Sequence, residues 1–477
     1  MTTADLLERQ AGRAGDREGL VFGTRSRSFA ELARRSARAA HVLRSLGVGK
    51  GDRVALFAGN RAEWVDVFFA ASKVGAVLVP VSARLRSEEL GWILGHSRPS
   101  LLVFEAEVAD EVARVRENHQ DALRFLSMPA VGHARDTAAT PPWAVEYTEA
   151  FEAAPDTHPS ADLAPLDLHS ICYTSGTTGT PKGAVLTHAN VVTGTHEFSV
   201  RNFGYTERDV FLNPTPLAHR AGWARLIQSV GIGATAVLMR RFDPDEALQL
   251  IERHRVTLAG LVPTMIRLID QASSVSRFDC SSLRTIITTA EGCPASLRRR
   301  IFELFPAVEL MSLFASTESG QMAVLRSADQ LSRPTAAGRP LDGIDLGIVD
   351  DDGRDVPKGE TGEIAVRSGE PGSAGMMLGY WDGTRVDTSV FDKGWFRTGD
   401  LGLVDADGYL HVSDRKKDMI LSGGLNIYSR EVEDVLRRHP DVADVAVVGI
   451  PDPTWGESVV AVVVRRPGST VDAAALI

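Results

Sequence analysis

The chain has 477 residues, of which 44% are hydrophobic and 24% charged, so it is globular and long enough for two or three packed units. Its 52 basic and 62 acidic residues give a formal net charge of −10, which disfavours nucleic acid and anionic membranes as partners. The cysteines, Cys172, Cys280 and Cys293, have no paired spacing, so we expect no disulfide framework or zinc site, and a cytoplasmic location. The N-terminus lacks an apolar signal region, and the longest apolar stretch, 64–81, carries two charges, so we expect no integral membrane segment.

Helical and strand patterns alternate along the chain. Amphipathic patterns that predict helices occur at 29–46, at 63–75, from Ser87 and at 243–256. Short apolar runs that predict buried strands occur at 54–58, 76–81, 101–105, 170–174, 235–239, 284–289 and 308–314. The Pro- and Ala-rich stretch 137–165 predicts a surface loop. Strands that alternate with helices predict a parallel sheet covered on both faces.

The pattern changes after about residue 340, where Asp/Gly turns between β-prone runs indicate hairpins. A last unit begins near 414, with a helix near 430–438 and strands near 443–449 and 459–465. We therefore predict an N-terminal domain over 1–413 with a β-rich subdomain at about 340–413, and a C-terminal domain over 414–477.

The most informative run, YTSGTTGTPKG at 173–183, directly follows a predicted strand. Its glycines expose backbone N–H groups, its Ser and Thr hydroxyls add donors, and Lys182 adds a positive charge. Such a loop suits a polyphosphate, which needs many convergent donors. It differs from the Walker pattern because Gly183 stands where a magnesium-binding Ser or Thr would follow the lysine. The alternative is a flexible solvated loop, which the density of donors disfavours.

Six further motifs follow this run along the chain. They are PLAHRAGW at 216–223, TAEG at 289–292, FASTE at 314–318, WFRTGD at 395–400, DRKKD at 414–418 and SGGLNIY at 422–428. With the run at 173–183, they resemble the adenylate-forming superfamily, and within it the acyl-CoA synthetases (fatty-acid and aryl-acid CoA ligases). The resemblance extends from roughly residue 20 to the end of the chain.

The resemblance implies an α/β fold and a set of site residues. The fold would have a large N-terminal domain of layered, mostly parallel sheets with helices, a β-rich subdomain, and a small mobile α+β C-terminal domain. The residues implied to bind ATP or coenzyme A are Thr174, Ser175, Gly176, Thr177, Thr178, Gly179, Thr289, Ala290, Glu291, Phe314, Asp400, Gly423 and Gly424. The implied catalytic residues are Lys182, His219, Thr317, Glu318 and Arg415. Glu318 and Thr178 are the implied ligands of Mg²⁺, which prefers hard oxygen donors beside phosphate.

The same resemblance gives individual residues their roles. Phe314 would stack on the adenine, Asp400 would accept hydrogen bonds from both ribose hydroxyls, and Arg415 would reach the ribose or a phosphate. The glycines at 423 and 424 would let a thin pantetheine arm pass close to the backbone. Gly292 replaces the proline that is usual in its motif.

The acyl pocket is implied near the second motif. His219 would be the gate near the acid carboxylate, and Trp223 would help to line the acyl tunnel. Taken alone, His219 is as often a loop histidine, and Trp223 is more often a core residue. Ala315 stands where glycine is usual and would narrow the space near the acyl group.

The implied reaction is ATP-dependent activation of a carboxylic acid to an acyl-adenylate, followed by thioester formation with coenzyme A. An alternative is a non-adenylating or adenylation-only relative, or one that loads the thiol of an acyl-carrier protein. A peptide-synthetase adenylation domain is disfavoured because Arg220 stands where an amino-recognising aspartate is expected. Dimers are common among relatives, and a homodimer is expected by analogy.

One expected residue is missing from the sequence. The family places an adenylating lysine near the end of its C-terminal domain, but no lysine follows Lys417 here. We expect that the C-terminal domain is truncated in this chain, because VDAAALI resembles the beginning of a helix. The alternative is a natural absence of that lysine.

Overall fold

The computed structural model describes residues 1–119, 123–131, 139–159, 161–174, 180–272, 274–422 and 425–476. Its α-helices are α1 (Thr3–Ala14), α2 (Phe29–Ser45), α3 (Ala62–Val74), α4 (Ser87–Ser97), α5 (Ala109–Arg116), α6 (Tyr147–Ala153), α7 (His188–Val191), α8 (Phe198–Phe203), α9 (Arg220–Ile232), α10 (Pro244–His254), α11 (Pro263–Gln271), α12 (Ala295–Leu304), α13 (Ser429–Leu436) and α14 (Ala473–Leu476). A π-helical stretch, Val192–Glu197, joins α7 to α8.

The strands of the first half are β1 (Glu18–Phe22), β2 (Arg25–Ser28), β3 (Arg53–Phe57), β4 (Val77–Val81), β5 (Leu101–Glu105), β6 (Arg124–Met128), β7 (Val145–Glu146), β8 (Leu168–Thr174), β9 (Lys182–Thr187), β10 (Val210–Asn213), β11 (Thr235–Leu238), β12 (Leu258–Gly260) and β13 (Thr285–Thr288). Those of the second half are β14 (Glu309–Ser316), β15 (Gly320–Leu325), β16 (Arg339–Pro340), β17 (Asp345–Val349), β18 (Gly362–Arg367), β19 (Gly379–Trp381), β20 (Val386–Asp387), β21 (Phe391–Asp392), β22 (Trp395–Val404), β23 (Leu410–Arg415), β24 (Ile420–Ser422), β25 (Leu425–Ile427), β26 (Val442–Asp452) and β27 (Gly456–Arg465).

Two nine-stranded sheets form the large part of the molecule. The first has the order β20-β19-β9-β8-β4-β3-β5-β6-β7 and is parallel from β8 to β7. The second has the order β16-β15-β14-β13-β12-β10-β11-β1-β2 and is parallel from β14 to β1. Antiparallel strands extend both sheets at their edges.

Successive side chains along the parallel strands point to opposite faces of each sheet, and this explains why helices cover both faces. On β3, Val54 contributes to the core that α2, α3 and α9 share with both sheets, whereas the next residue, Ala55, contributes to the core under α4 and α5. On β11, Ala236 likewise contributes to the shared core, and the next residue, Val237, contributes to the core under α10, α11 and α12. Because successive side chains point to opposite faces, each sheet is covered on both sides. The molecule therefore has a central helical layer between two sheets and an outer helical layer on each.

The central layer also holds a buried charge cluster. Asp66 on α3 has a fully buried side chain, and its two oxygens bind Arg27 at 2.8 Å and Arg35 at 2.9 Å. A buried carboxylate needs such partners because removing charge from water is costly. The cluster ties α3 to β2 and to α2.

Two smaller sheets follow. The third sheet, β17-β18-β22-β21 with β23 beside β22, is entirely antiparallel. The fourth, β25-β24-β27-β26, packs on α13 around its own core of Ile420, Val442, Val445 and Val447. This last unit therefore has an α+β architecture.

The predicted α/β fold class is confirmed, and the seven predicted strands of the first 320 residues are found as β3, β4, β5, β8, β11, β13 and β14. The surface loop predicted over 137–165 is wrong at α6, where Tyr147 and Phe151 are buried in the central core. A composition rich in Pro and Ala did not reveal these two aromatic anchors. Within the predicted β-rich range, β19 and β20 join the first large sheet, and β23 runs to Arg415.

Candidate active site

Glu318 lies where three elements meet. It follows β14 of the second sheet, and its Oε1 accepts a hydrogen bond from the hydroxyl of Thr174, the last residue of β8, at 3.0 Å. The same oxygen accepts a hydrogen bond from the Tyr380 hydroxyl on β19, also at 3.0 Å. The carboxyl ends of strands from both large sheets therefore converge on one carboxylate. In α/β folds, ligands bind at such ends.

The sheet holds the two ends of the predicted phosphate loop together. Thr174 and Lys182 are direct partners in the antiparallel pair of β8 and β9. The Lys182 ammonium lies 5.3 Å from the centroid of the Tyr380 ring. The flanks of the loop therefore lie beside Glu318. The loop residues predicted to bind ATP, Ser175, Gly176, Thr177, Thr178 and Gly179, lie outside the described residues.

Asp400 and Arg415 form an ion pair at the edge of this site. They are partners in the register of β22 and β23, and Arg415 Nε lies 2.7 Å from Asp400 Oδ1. Burial raises the pKa of Asp400 to about 6 against the opposing charge of Arg415, and the Glu318 carboxylate adds to the rise. Asp400 is therefore ionised at neutral pH and lies close enough to Glu318 to respond to its charge.

The predicted adenine-side loop follows β13. Thr289 is half-buried, and Ala290 is exposed with a φ of 78°, a left-handed conformation that is uncommon for a residue with a Cβ. The carboxylate of Glu291 accepts hydrogen bonds from the backbone N–H of Thr264 at 3.0 Å and from its hydroxyl at 2.9 Å. Glu291 therefore fastens this loop to the beginning of α11. Phe314 on β14 is half-buried and packs against the central core.

The segment predicted near the acyl pocket forms the beginning of α9. His219 is exposed immediately before the helix. Trp223 is fully buried in the central core, 6.0 Å from the rings of Phe68 and His169. The register of β14 against β15 shifts between Phe314 and Ala315, where β15 carries one extra residue, Met322. The roles of His219, Trp223 and Ala315 in the pocket stay predictions.

Arg220, the first residue of α9, is buried beside these residues. Its guanidinium donates a hydrogen bond to the Thr317 carbonyl at 2.6 Å and one to the Gly375 carbonyl at 3.4 Å. Burial lowers the pKa of Arg220 to about 10, so it stays charged at neutral pH, and the Glu318 charge partly offsets the shift. Arg220 therefore links α9 to the turn that carries Thr317 and Glu318.

The C-terminal unit reaches the site through Arg430. A Cβ at position 292 would collide with the Arg430 guanidinium, so the absence of a side chain at Gly292 makes room for this contact. The charge of Arg430 also lowers the pKa of Asp400, although less than burial raises it. At the beginning of α13, the Ser429 hydroxyl donates to Asp414 Oδ2 at 2.8 Å and the Arg430 N–H donates to the same oxygen at 3.3 Å. The predicted coenzyme A residues Gly423 and Gly424 lie outside the described residues.

Two family matches cover most of the chain. The AMP-binding enzyme family matches residues 7–381, and the family of AMP-binding enzyme C-terminal domains matches residues 431–477. The chain belongs to the AMP-binding enzyme family. This membership confirms the predicted superfamily and is consistent with the convergence of the motif residues on one site.

Individual relatives of this AMP-binding enzyme are CoA ligases. The indoleacetate–CoA ligase of Aromatoleum aromaticum is 36% identical over 482 residues, which cover 99% of this chain and 90% of the relative. The feruloyl-CoA synthase of an Amycolatopsis species is 37% identical over 448 residues, which cover 93% and 85%. The solved structure of the anthranilate CoA ligase AuaEII in complex with anthranoyl-AMP has a TM-score of 0.88 at 28% identity, over 99% of this chain and 89% of that chain. These relatives confirm the predicted class, an acid–thiol ligase.

The donor set of the AMP-binding enzyme fits a magnesium ion held mainly by its nucleotide. Within the described ranges, no three side chains of His, Cys, Asp or Glu come together as a metal-binding group. Mg²⁺ is usually bound through one or two carboxylates together with substrate phosphates and water. Glu318, beside the two ends of the predicted phosphate loop, would provide one such carboxylate. Among the helices that the structure describes, none has the length and apolar composition to cross a bilayer.

Two residues of the AMP-binding enzyme site were missed at the sequence level. Tyr380 lies in the run LGYWDG between two motifs, and its aromatic character alone gave no reason to place it beside Glu318. Arg430 follows the last motif by two residues, and only the packing of the C-terminal unit shows that it lies over Gly292.

Proposed function

We propose that this chain activates a fatty or aryl carboxylic acid with ATP and transfers the acyl group to coenzyme A. The observation that carries the proposal is the meeting of Thr174, Lys182 and Glu318 at the foot of the phosphate loop, with Asp400 close by. This arrangement offers the Lys182 ammonium as a donor for phosphates and the ionised Asp400 carboxylate as an acceptor for a ribose diol. It supports the nucleotide chemistry that the family match and the CoA-ligase relatives suggest.

In the first half-reaction, a carboxylate oxygen of the acid attacks the α-phosphorus of ATP, and the bond to the pyrophosphate oxygen breaks. Lys182 balances negative charge on the phosphates, and Asp400 holds the ribose so that the α-phosphorus faces the acid. A bound Mg²⁺ would supply further neutralisation of the phosphates, and Glu318 is the residue that would hold it. The products are an acyl-adenylate and pyrophosphate.

In the second half-reaction, the thiol of coenzyme A attacks the acyl carbon and AMP leaves with the electron pair of the broken C–O bond. The thiol proton is released, and the products are acyl-CoA and AMP. Two positive side chains, those of Arg415 and Arg430, lie near Asp400, which is proposed to bind the ribose of the AMP. They are suited to stabilise its negative charge as the bond breaks.

Both the acid and the coenzyme A acceptor are proposed from the names of the relatives. Indoleacetate, ferulate and anthranilate are the acids in the names of the relatives reported above, and all three carry an aromatic ring.

Cys172, Cys280 and Cys293 are free thiols. Free thiols are typical of proteins in a reducing compartment, so we propose that the reaction takes place in the cytoplasm.

Pyrophosphate release with a panel of acids tests the proposal. Indoleacetate, ferulate, anthranilate, a medium-chain fatty acid and a long-chain fatty acid are each added with ATP and Mg²⁺, with and without coenzyme A. We expect pyrophosphate release with at least one acid, and acyl-CoA by mass spectrometry only when coenzyme A is present. Release that yields a hydroxamate with hydroxylamine but no acyl-CoA would favour a carrier-protein acceptor.

Two variants link that activity to the site. Lys182→Ala and Asp400→Ala should each reduce ATP-dependent pyrophosphate release, whereas Asp352→Asn should not, because Asp352 is exposed and pairs with the exposed Arg354. Unchanged turnover in both site variants contradicts the proposed function.

A further inference from the structure

Tyr380 is built into the sheet beside the phosphate loop. It lies on β19, which pairs antiparallel with β9, and its register partner is Ala184, two residues after Lys182. The neighbouring Trp381 donates its indole N–H to the His96 carbonyl at 3.1 Å. Tyr380 is half-buried, so its ring and hydroxyl are held by the sheet on one side and by Glu318 on the other.

The hydroxyl of Tyr380 shares one acceptor with Thr174. Both hydroxyls donate to Oε1 of Glu318 at 3.0 Å. A carboxylate oxygen has two lone pairs in its plane, so two donors occupy that oxygen. Among the described residues, no donor is hydrogen-bonded to Oε2 of Glu318. The carboxylate is thus fixed with one oxygen engaged by protein and the other available as a hard donor for a cation.

The ring of Tyr380 contacts the other charged group of the site. The Lys182 ammonium lies 5.3 Å from the ring centroid, within the range of a cation–π contact. One side chain therefore touches both the ammonium and the carboxylate that flank the phosphate loop. Without the ring, the flexible stem of Lys182 would have more freedom to place its ammonium elsewhere.

We propose that Tyr380 is a positioning residue that presents Oε2 of Glu318 to a nucleotide-bound divalent cation and the Lys182 ammonium to the phosphates. The inference rests on the proposed function, because it takes ATP as the ligand of this site. The hydroxyl of Tyr380 contacts Glu318 and its ring contacts Lys182, so two different substitutions can test the two contacts. Tyr380→Phe removes only the hydroxyl, and Tyr380→Leu removes the ring as well.

Calorimetric titration separates the two roles without relying on turnover. ATP is titrated into each variant once with Mg²⁺ and once with EDTA and no divalent cation. We expect Tyr380→Phe to raise the Kd for Mg²⁺·ATP about tenfold, as for the loss of a hydrogen bond to a charged group, and to leave the Kd for metal-free ATP within about twofold. Tyr380→Leu should raise both dissociation constants.

Tyr147→Phe is the matched control. Tyr147 is a buried tyrosine whose hydroxyl has no hydrogen-bond partner among the described residues, and it stacks on Phe151 away from the site. The Tyr147→Phe variant should bind Mg²⁺·ATP and metal-free ATP with the dissociation constants of the wild type. Thermal unfolding of every variant shows whether the fold is retained. An unfolded Tyr380→Leu leaves Tyr380→Phe as the deciding variant.

The outcomes distinguish this inference from the proposed function. Wild-type affinity of Tyr380→Phe for Mg²⁺·ATP would overturn the positioning role while leaving the ligase assignment intact. Equal losses for Mg²⁺·ATP and metal-free ATP in Tyr380→Phe would also overturn it, because the hydroxyl would then be structural. A wild-type protein that binds neither form of ATP refutes the proposed function itself.

Discussion

The ribose assignment can be tested by replacing Asp400 with asparagine, which keeps the size of the side chain and removes its charge. Asp400 is buried beside Arg415, and its pKa is raised to about 6. Hydrogen bonds to a charged group are worth about 1.5–3 kcal/mol, so Asp400→Asn should raise the KM for ATP about 10- to 100-fold. Initial rates of pyrophosphate release over a range of ATP concentrations measure this change.

The raised pKa adds a pH dependence with a definite sign. The ionised carboxylate is the better acceptor for the ribose hydroxyls, and it is lost as the pH falls through the folded pKa of about 6. At pH 7 about nine in ten molecules carry an ionised Asp400, and at pH 5 only about one in ten do, so the wild-type KM for ATP should rise up to about tenfold between pH 7 and pH 5. Asp400→Asn should show no such rise.

Stability measurements separate lost binding from a lost fold. Ionisation of a buried carboxylate with a raised pKa opposes folding above about pH 6, so Asp400→Asn should not lower the unfolding temperature at pH 7. The pairing with Arg415 adds little, since that side chain is 52% exposed. A KM for ATP within about twofold of the wild type, together with an unchanged pH profile, would refute the ribose assignment.

Four further substitutions probe other parts of the molecule. Lys182→Ala removes the ammonium beside the phosphate loop and should slow pyrophosphate release about 100-fold or more. Gly292→Ala displaces the Arg430 guanidinium, so it and Arg430→Ala should each slow thioester formation from preformed acyl-adenylate about fivefold, without further loss in the double variant. Asp66→Asn breaks a buried ion pair with two arginines and should lower the free energy of unfolding, measured with urea, by about 3–5 kcal/mol.

Each of these predictions would be contradicted by a specific result. Pyrophosphate release by Lys182→Ala at the wild-type rate excludes that lysine from the phosphate site. Additive losses in the Gly292 and Arg430 pair show that the two residues act separately. For Asp66→Asn, an unfolding free energy equal to that of the surface control Asp352→Asn shows that the ion pairs are energetically neutral.

Local sequence patterns were sufficient to predict most of the strands of the large domain. The strands at 54–58 and 101–105 are short apolar runs in a sheet covered on both faces, and such runs have few alternative places in a soluble fold. The family motifs likewise identified Lys182, Glu318 and Asp400, which the structure brings to one site. The motifs themselves carried this information, because only Glu318 follows a strand, whereas Lys182 begins β9 and Asp400 lies within β22.

Contacts between distant segments could not be predicted in the same way. The hydroxyls of Thr174 and Tyr380 meet on one oxygen although 206 positions separate them, and no local pattern encodes that meeting. The burial of α6 depends on Tyr147 and Phe151 reaching the central core, which the loop-like composition around them concealed. Trp223, predicted beside the acyl group, is fully buried and packs with Phe68, and its place in the acyl pocket stays a prediction.

Asp414 holds the beginning of α13 against the end of β23. Its Oδ2 accepts hydrogen bonds from the Ser429 hydroxyl and from the Arg430 N–H, so any displacement of α13 from β23 must part both donors from one buried carboxylate oxygen. Hydrogen bonds to a charged group are worth about 1.5–3 kcal/mol each, so this orientation of α13 is favoured over one that leaves the two donors and the carboxylate without these partners.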